Sequence, residues 1–140
     1  MTEIRLMTKE DYDTAYDLWK STPGIGLSTA DSREAISSFL DRNPGLCFVA
    51  CEGEKLVGTV LCGSDGRRGY LYHLAVDVSY RRLGLGLQMA EKSLASLNAA
   101  GIEKCHIFVY KDNAEGIKFW AHTGWVERPE LIIMSHDIKE

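Results

Sequence analysis

The junction between Tyr70–Val76 and Leu85–Ala100 narrows the possible folds more than any other stretch. Tyr70–Val76 is an apolar run of strand length, and Leu87, Ala90, Leu94 and Leu97 then recur at helical spacing. The intervening residues end in Arg81-Arg82-Leu83-Gly84-Leu85-Gly86, so an Arg-x-x-Gly-x-Gly motif opens the helix. A further strand, Cys105–Tyr110, follows Gly101, which suits the position just past a helix end. Strand, helix and strand in this order make a crossover unit whose flanking strands lie parallel.

The motif has the chemistry of a phosphate cradle. A helix start offers unpaired N–H groups and the positive end of the dipole. Gly84 and Gly86 let an anion approach that backbone, and Arg81 and Arg82 add charge suited to phosphate. The dinucleotide fingerprint fails because Met89 stands where its third glycine belongs, and the P-loop fails because no Gly-Lys-Ser/Thr follows. Taken alone, the motif also reads as a glycine-containing helix start with two solvated arginines.

The rest of the chain supplies the other layers. Ile4–Met7 reads as a strand. Thr8 and Asp11 form a capping-box pattern before a helix carrying Tyr12, Ala15, Tyr16, Leu18 and Trp19. After the break at Thr22–Gly26, Asp31 and Glu34 mark a second helix start, with Ala35, Ile36, Phe39 and Leu40 as its stripe. Leu46–Glu52 and Lys55–Cys62 read as a hairpin, Asn113–Thr123 as a short helix, and Trp125–Val126 and Leu131–His136 as final strands. The expectation is one α/β domain over 1–140. It has a mixed, mostly antiparallel sheet of six to seven strands, flanked by about four helices.

A net charge of −4 argues against nucleic acid as a partner. The apolar runs are too short to span a membrane, and no apolar stretch of signal type follows Met1–Leu6, so a cytoplasmic location is expected. The four cysteines, Cys47, Cys51, Cys62 and Cys105, form no close pair and read as buried thiols, and no metal site is expected.

The chain resembles the GCN5-related N-acetyltransferase (GNAT) family, in particular its small bacterial members. The resemblance rests on the early helices and hairpin, on Leu74-Ala75-Val76 and on Arg81-x-x-Gly84-x-Gly86. It also rests on Asn113, Gly116, Phe119, Trp120, Gly124 and Trp125 in the pattern N-x-x-A/G-x-x-F-Y-x-x-x-G-F, about 25 to 30 residues further on. The turn Gly63–Gly69 adds to it. The resemblance implies a splayed central strand pair, acetyl-CoA as co-substrate and a primary amine of a small molecule or protein as acceptor. It implies that Arg81, Arg82, Leu83, Gly84, Leu85, Gly86 and Leu87 hold the pyrophosphate. Backbone N–H groups near Leu74, Ala75 and Val76 pair with the pantetheine and polarise the thioester, and Asn113, Phe119 and Trp120 line the CoA. A homodimer is common among relatives.

Acyl transfer to an amine also needs a proton acceptor and a departing thiolate. Tyr70 and Tyr72 stand where family members often carry a Glu or His base. Tyrosine is a weak base at neutral pH, so their expected role is to order water or substrate. Strand alternation places Leu74 and Val76 on their face and His73 on the other, as a structural histidine like His106; His122 and His136 read as surface positions. Glu52 and Asp65 are further base candidates at hairpin ends. Trp120 replaces the family's usual tyrosine acid with an N–H that is no usable acid, and Tyr110 is a substitute. Acetyl transfer is therefore the leading reading, with a non-catalytic acyl-CoA-binding module as the alternative.

Overall fold

Lys55–Ser64 is an almost unbroken run of buried residues, the pattern of a strand covered on both faces. It is the middle strand of the computed structural model, which describes residues 1–138; Lys139 and Glu140, the end of the expected 1–140 domain, lie outside the described residues. The strands are β1 (Thr2–Leu6), β2 (Phe48–Glu52), β3 (Lys55–Ser64), β4 (Gly69–Val76) and β5 (Cys105–Ile107). The α-helices are α1 (Tyr12–Lys20), α2 (Arg33–Arg42), α3 (Leu85–Ala99) and α4 (Ala114–His122). The chain forms two compact units, one from Met1 to Phe108 and one starting at Val109.

In the first unit the strands lie in sequence order, antiparallel except for the parallel pair β4–β5. Helices α1 and α2 cover one face, where Ala15, Leu18, Trp19 and Ile36 pack on Val49, Leu61 and Ala75. Helix α3 covers the other. Its buried face is Leu85, Met89, Ala90, Ser93 and Leu97, so the stripe begins at Leu85, and Leu87 points outward rather than into the core. Ser93 Oγ donates to Leu46 O at 2.7 Å, which satisfies a buried hydroxyl within that contact.

Local chemistry sets the helix ends. Thr8 N–H donates to Asp11 Oδ2 at 2.8 Å, the reach-back bond of the expected capping box. Gly101, at φ 84°, ends α3, and Ile102 N–H returns to Leu97 O. The start of α2 differs from expectation. Ser32 caps it through Ala35 N–H, while Asp31 closes a preceding 3-10 turn and keeps one carboxylate oxygen for another partner.

Among the described residues the sheet has five strands, not six or seven. Trp125–Val126 and Leu131–His136 form no ladder, and β5 stops at Ile107 instead of Tyr110. Apolar, β-branched sequence favours a strand, but the strand exists only where a neighbour takes up its N–H and C=O groups. Among the described residues no helix is long and apolar enough to cross a membrane.

Candidate active site

β4 positions the site, and a bulge decides which side chains face where. Leu61 pairs with Tyr72 and Thr59 with Ala75, so His73 and Leu74 together oppose Val60. His73 takes φ 49°, a left-handed conformation that a non-glycine residue holds only when its surroundings fix it. The extra residue breaks the alternation. Tyr72 and Ala75 both pack with the α1–α2 core, and the His73 ring sits edge-on to Trp19 at 4.7 Å. Val76 pairs with Gly58, whose missing Cβ would point at Met89 of α3. The expected arrangement is therefore corrected. His73 shares the face of Tyr72, whereas Leu74 and Val76 lie on the α3 side.

The same strand has an open edge. β5 pairs with Gly69–Leu71 only, and β4 runs on to Val76 without it. Asp77 N–H donates to Val57 O at 2.8 Å. By alternation the N–H of Ala75 faces β3, and those of Val76 and Leu74 face the opening. This is the splay expected of the central pair. Its physical use is clear: an extended ligand can add to the unpaired N–H groups as a further strand does.

The open edge leads to the start of α3. Asp77 Oδ1 accepts from Ser79 N–H at 2.9 Å, and Arg81 Nε donates to Val76 O at 3.0 Å, which folds the turn back on the strand end. Arg82 has φ 66° and Gly84 φ 80°. At Gly84 the glycine matters, because the left-handed N-cap turns the chain into the helix at no steric cost. No side chain caps α3 and no acidic residue occupies its first turn, so no carboxylate competes for Leu85, Gly86 and Leu87 N–H. Arg81, Arg82 and Leu83 are exposed beside it. The arrangement suits an anion such as a phosphate at the helix start and an extended polar chain along the strand edge.

On the α1–α2 side an aromatic shelf flanks the opening. Tyr70 stacks on Tyr72 at 6.4 Å and on Phe108 at 6.1 Å, Phe39 meets Tyr72 edge-on, and His106 lies 5.7 Å from Tyr70. Burial pushes the Tyr72 hydroxyl above its ordinary pKa, which disfavours the phenolate. Asp65 Oδ1 accepts from Arg67 and Arg68 N–H, and those bonds hold its pKa below the usual carboxylate value; it is a turn residue, not a base. Burial raises the Cys47 and Cys105 thiols to about 11 and the Cys62 thiol to about 12, so all three stay protonated and unreactive.

One pair escaped the sequence reading. His73 Nε2 lies 2.6 Å from Asp31 Oδ1, with side chains only 15% and 10% exposed. Their separation of 42 residues left no local signal. Asp31 Oδ2 also accepts from Ser28 N–H, and Tyr12 OH donates to Asp31 O.

The second unit holds the other motif. Asn113 caps α4 through Gly116 N–H at 3.0 Å, and a Cβ on residue 116 would lie 2.5 Å from Asn113 Nδ2. Gly124, at φ 103°, ends the helix: Trp125 N–H returns to Trp120 O, and the two indoles meet at 5.0 Å. These are a side-chain cap and a Schellman end with its accompanying apolar contact, so much of the motif serves the helix itself. Phe119 packs edge-on to Trp120 at 5.0 Å, both half-buried, while Tyr110 is exposed outside any strand. His122 and His136 are exposed.

A model of the acetyltransferase (GNAT) family matches residues 12–125. An acetyltransferase of Pectobacterium atrosepticum is 31% identical over 111 residues, covering 79% of this chain and 78% of that protein. N-alpha-acetyltransferase 30 of Xenopus laevis is 32% identical over 98 residues, or 66% of this chain, and the chain spans 36% of that relative's length. The solved PaiA N-acetyltransferase of Thermoplasma acidophilum, in complex with coenzyme A, has the same fold, with a TM-score of 0.77 at 21% identity over 89% of each chain.

Proposed function

This chain belongs to the acetyltransferase (GNAT) family, and from that premise we propose that it transfers an acetyl group from acetyl-CoA directly to a primary amine in a ternary complex. One observation carries the reading: the free edge of β4 leads, through one short turn, to an α3 start that has no side-chain cap and no acidic residue in its first turn. In this reading the N–H groups of Leu85, Gly86 and Leu87, with Arg81 and Arg82, hold the pyrophosphate. Leu74 and Val76 take the pantetheine along the strand edge. The Leu74 N–H faces the negative charge that develops on the thioester oxygen, where a fixed donor is worth more than mobile water. The family motif supports Asn113, Phe119 and Trp120 as CoA contacts.

The aromatic shelf of Tyr70, Tyr72 and Phe108 borders the acceptor side, and Tyr72 orders the acceptor or a water rather than removing its proton. The likeness to N-alpha-acetyltransferase 30 puts peptide α-amines beside small-molecule amines among the acceptors to try. Thiol release from acetyl-CoA, measured across such a panel, tests the reading. Acceptor-dependent release supports it. Stoichiometric CoA binding without release with any amine favours the acyl-CoA-binding module, for which Trp120 in place of the usual tyrosine is the argument.

A further inference from the structure

We infer that His73 is the proton acceptor for the acceptor ammonium, with Asp31 as the residue that positions it; this rests on the acetyl-transfer reading above. Three observations converge on the pair. The bulge spends one residue of β4 to turn the His73 ring onto the α1–α2 face, at φ 49°. Bulges beside active sites commonly re-aim a side chain in this way. The backbone there is clamped: Thr59 Oγ1 donates to His73 O at 2.8 Å and accepts from the buried Trp19 Nε1 at 2.9 Å.

The second observation is Asp31 itself. One oxygen is fixed by Ser28 N–H at 3.0 Å, its carbonyl accepts from Tyr12 OH at 2.6 Å, and the other oxygen faces His73 Nε2 at 2.6 Å. A carboxylate so held fixes the imidazole as the Nε2–H form and keeps Nδ1 as the acceptor nitrogen. Among the described residues no fully buried side-chain nitrogen or oxygen lacks a partner, and Nδ1 has no partner among them, so Nδ1 is not sealed from solvent. Charged and titratable groups around the pair on this side include Tyr12, Tyr16 against Trp19, Arg33 over the Tyr12 ring, Asp13 paired with Arg33, and Tyr72, Tyr70 and His106 of the aromatic shelf.

The third observation is position. If the acyl oxygen accepts from Leu74 N–H as proposed above, it lies near the sheet plane, and the amine then reaches the carbonyl carbon from above or below it. Helix α3 covers one side. On the other stands His73, the residue directly before that N–H. Nδ1 takes one proton from R–NH3⁺. The freed lone pair forms the C–N bond, and the C–S bond breaks with its electron pair on sulfur. The second proton leaves the nitrogen and neutralises the thiolate, and the imidazolium gives its proton to solvent. The sum is R–NH3⁺ and thioester giving amide, thiol and one H⁺.

His73→Asn separates this role from a strut. Asparagine tolerates positive φ and takes no proton, but its amide stops short of Asp31; His73→Gln, whose amide reaches as far as the imidazole Nε2, keeps the bond to Asp31 and takes no proton either, so the two variants are read together. The expected result for both is a folded chain with unchanged CoA affinity by calorimetry and kcat lower by about 10²–10⁴-fold at neutral pH. Their rates should climb with pH as the free amine forms unaided. His73→Gly, which suits the backbone, should regain turnover with added imidazole. Asp31→Asn should lower kcat with little change in the KM for acetyl-CoA. Independently of turnover, ¹⁵N NMR of the wild-type imidazole should show Nε2 protonated and Nδ1 bare at neutral pH. A wild-type kcat in His73→Asn or His73→Gln, or a proton on Nδ1 instead of Nε2, overturns the assignment and leaves acetyl transfer standing. A wild-type chain that binds CoA but releases no thiol with any amine overturns both.

Discussion

The indole N–H of Trp19, wholly buried in α1, donates to the hydroxyl of Thr59 on β3 at 2.9 Å. That hydroxyl in turn donates to the carbonyl of His73. One small side chain thus satisfies a core tryptophan and pins the bulge of β4.

Thr59→Val keeps the shape and removes both bonds. Trp19 Nε1 and His73 O are then left without partners in a dry environment, at about 1–3 kcal/mol each. We expect a loss of about 2–4 kcal/mol in urea unfolding, whereas Thr59→Ser stays within about 1 kcal/mol. A valine variant as stable as the parent would show that the bulge holds without this clamp.

At the α3 start, stability and binding should part company. Gly86→Glu replaces a poor helix former and puts a carboxylate near the positive dipole end, so the fold should gain up to about 1 kcal/mol. The same carboxylate repels a pyrophosphate, and CoA affinity should be lost. Arg81→Ala should weaken CoA by about 1–3 kcal/mol, with a smaller effect on a pantetheine thioester that lacks the pyrophosphate. Calorimetry decides both. Unchanged CoA affinity in folded Gly86→Glu removes the anion site, and an equal Arg81→Ala defect for both thioesters points away from the pyrophosphate.

Acid should unlock the first turn. Burial works to raise the Asp11 pKa, but the Arg5 fork at 2.8 Å and 2.8 Å and the Thr8 N–H outweigh it and hold the carboxyl below its ordinary value. A depressed folded pKa means that the pair stabilises fully above the unfolded value of about 4 and is lost as pH falls through the folded one. Asp11→Asn should cost about 1–3 kcal/mol near neutrality, and the two proteins should converge in strong acid. Parallel stability curves from neutral to acid would contradict this.

Trp120 tests how the thiolate departs. Trp120→Phe should keep most turnover, because the indole is no acid. Trp120→Tyr should raise kcat if thiolate departure limits the rate, since the phenol supplies a proton donor. Trp120→Ala removes the contact with Trp125 that closes α4 and should cost about 2–4 kcal/mol. Steady-state thiol release and thermal melts distinguish these. An inactive Trp120→Phe that still binds CoA would give the indole N–H a direct catalytic part.

Features set by near neighbours are legible in the sequence itself. The Thr8–Asp11 box, Gly101 beyond α3, the hairpin turn at Glu52–Lys55 and the glycine-led start of α3 each depend on a few adjacent residues whose chemistry allows one local answer. The parallel strand–helix–strand unit followed from chain handedness and period. The tertiary structure decided what depends on register and on distant partners. A single extra residue at His73, with no glycine to announce it, turned Leu74 and Val76 to one face and His73 to the other, because side chains in a strand alternate with a period of two. Asp31 looked like a helix cap until Ser32 took that place and left its carboxylate for a strand 42 residues away. The apolar Leu131–His136 segment has the composition of a strand, but pairing belongs to two chains of atoms at once, and composition describes only one of them.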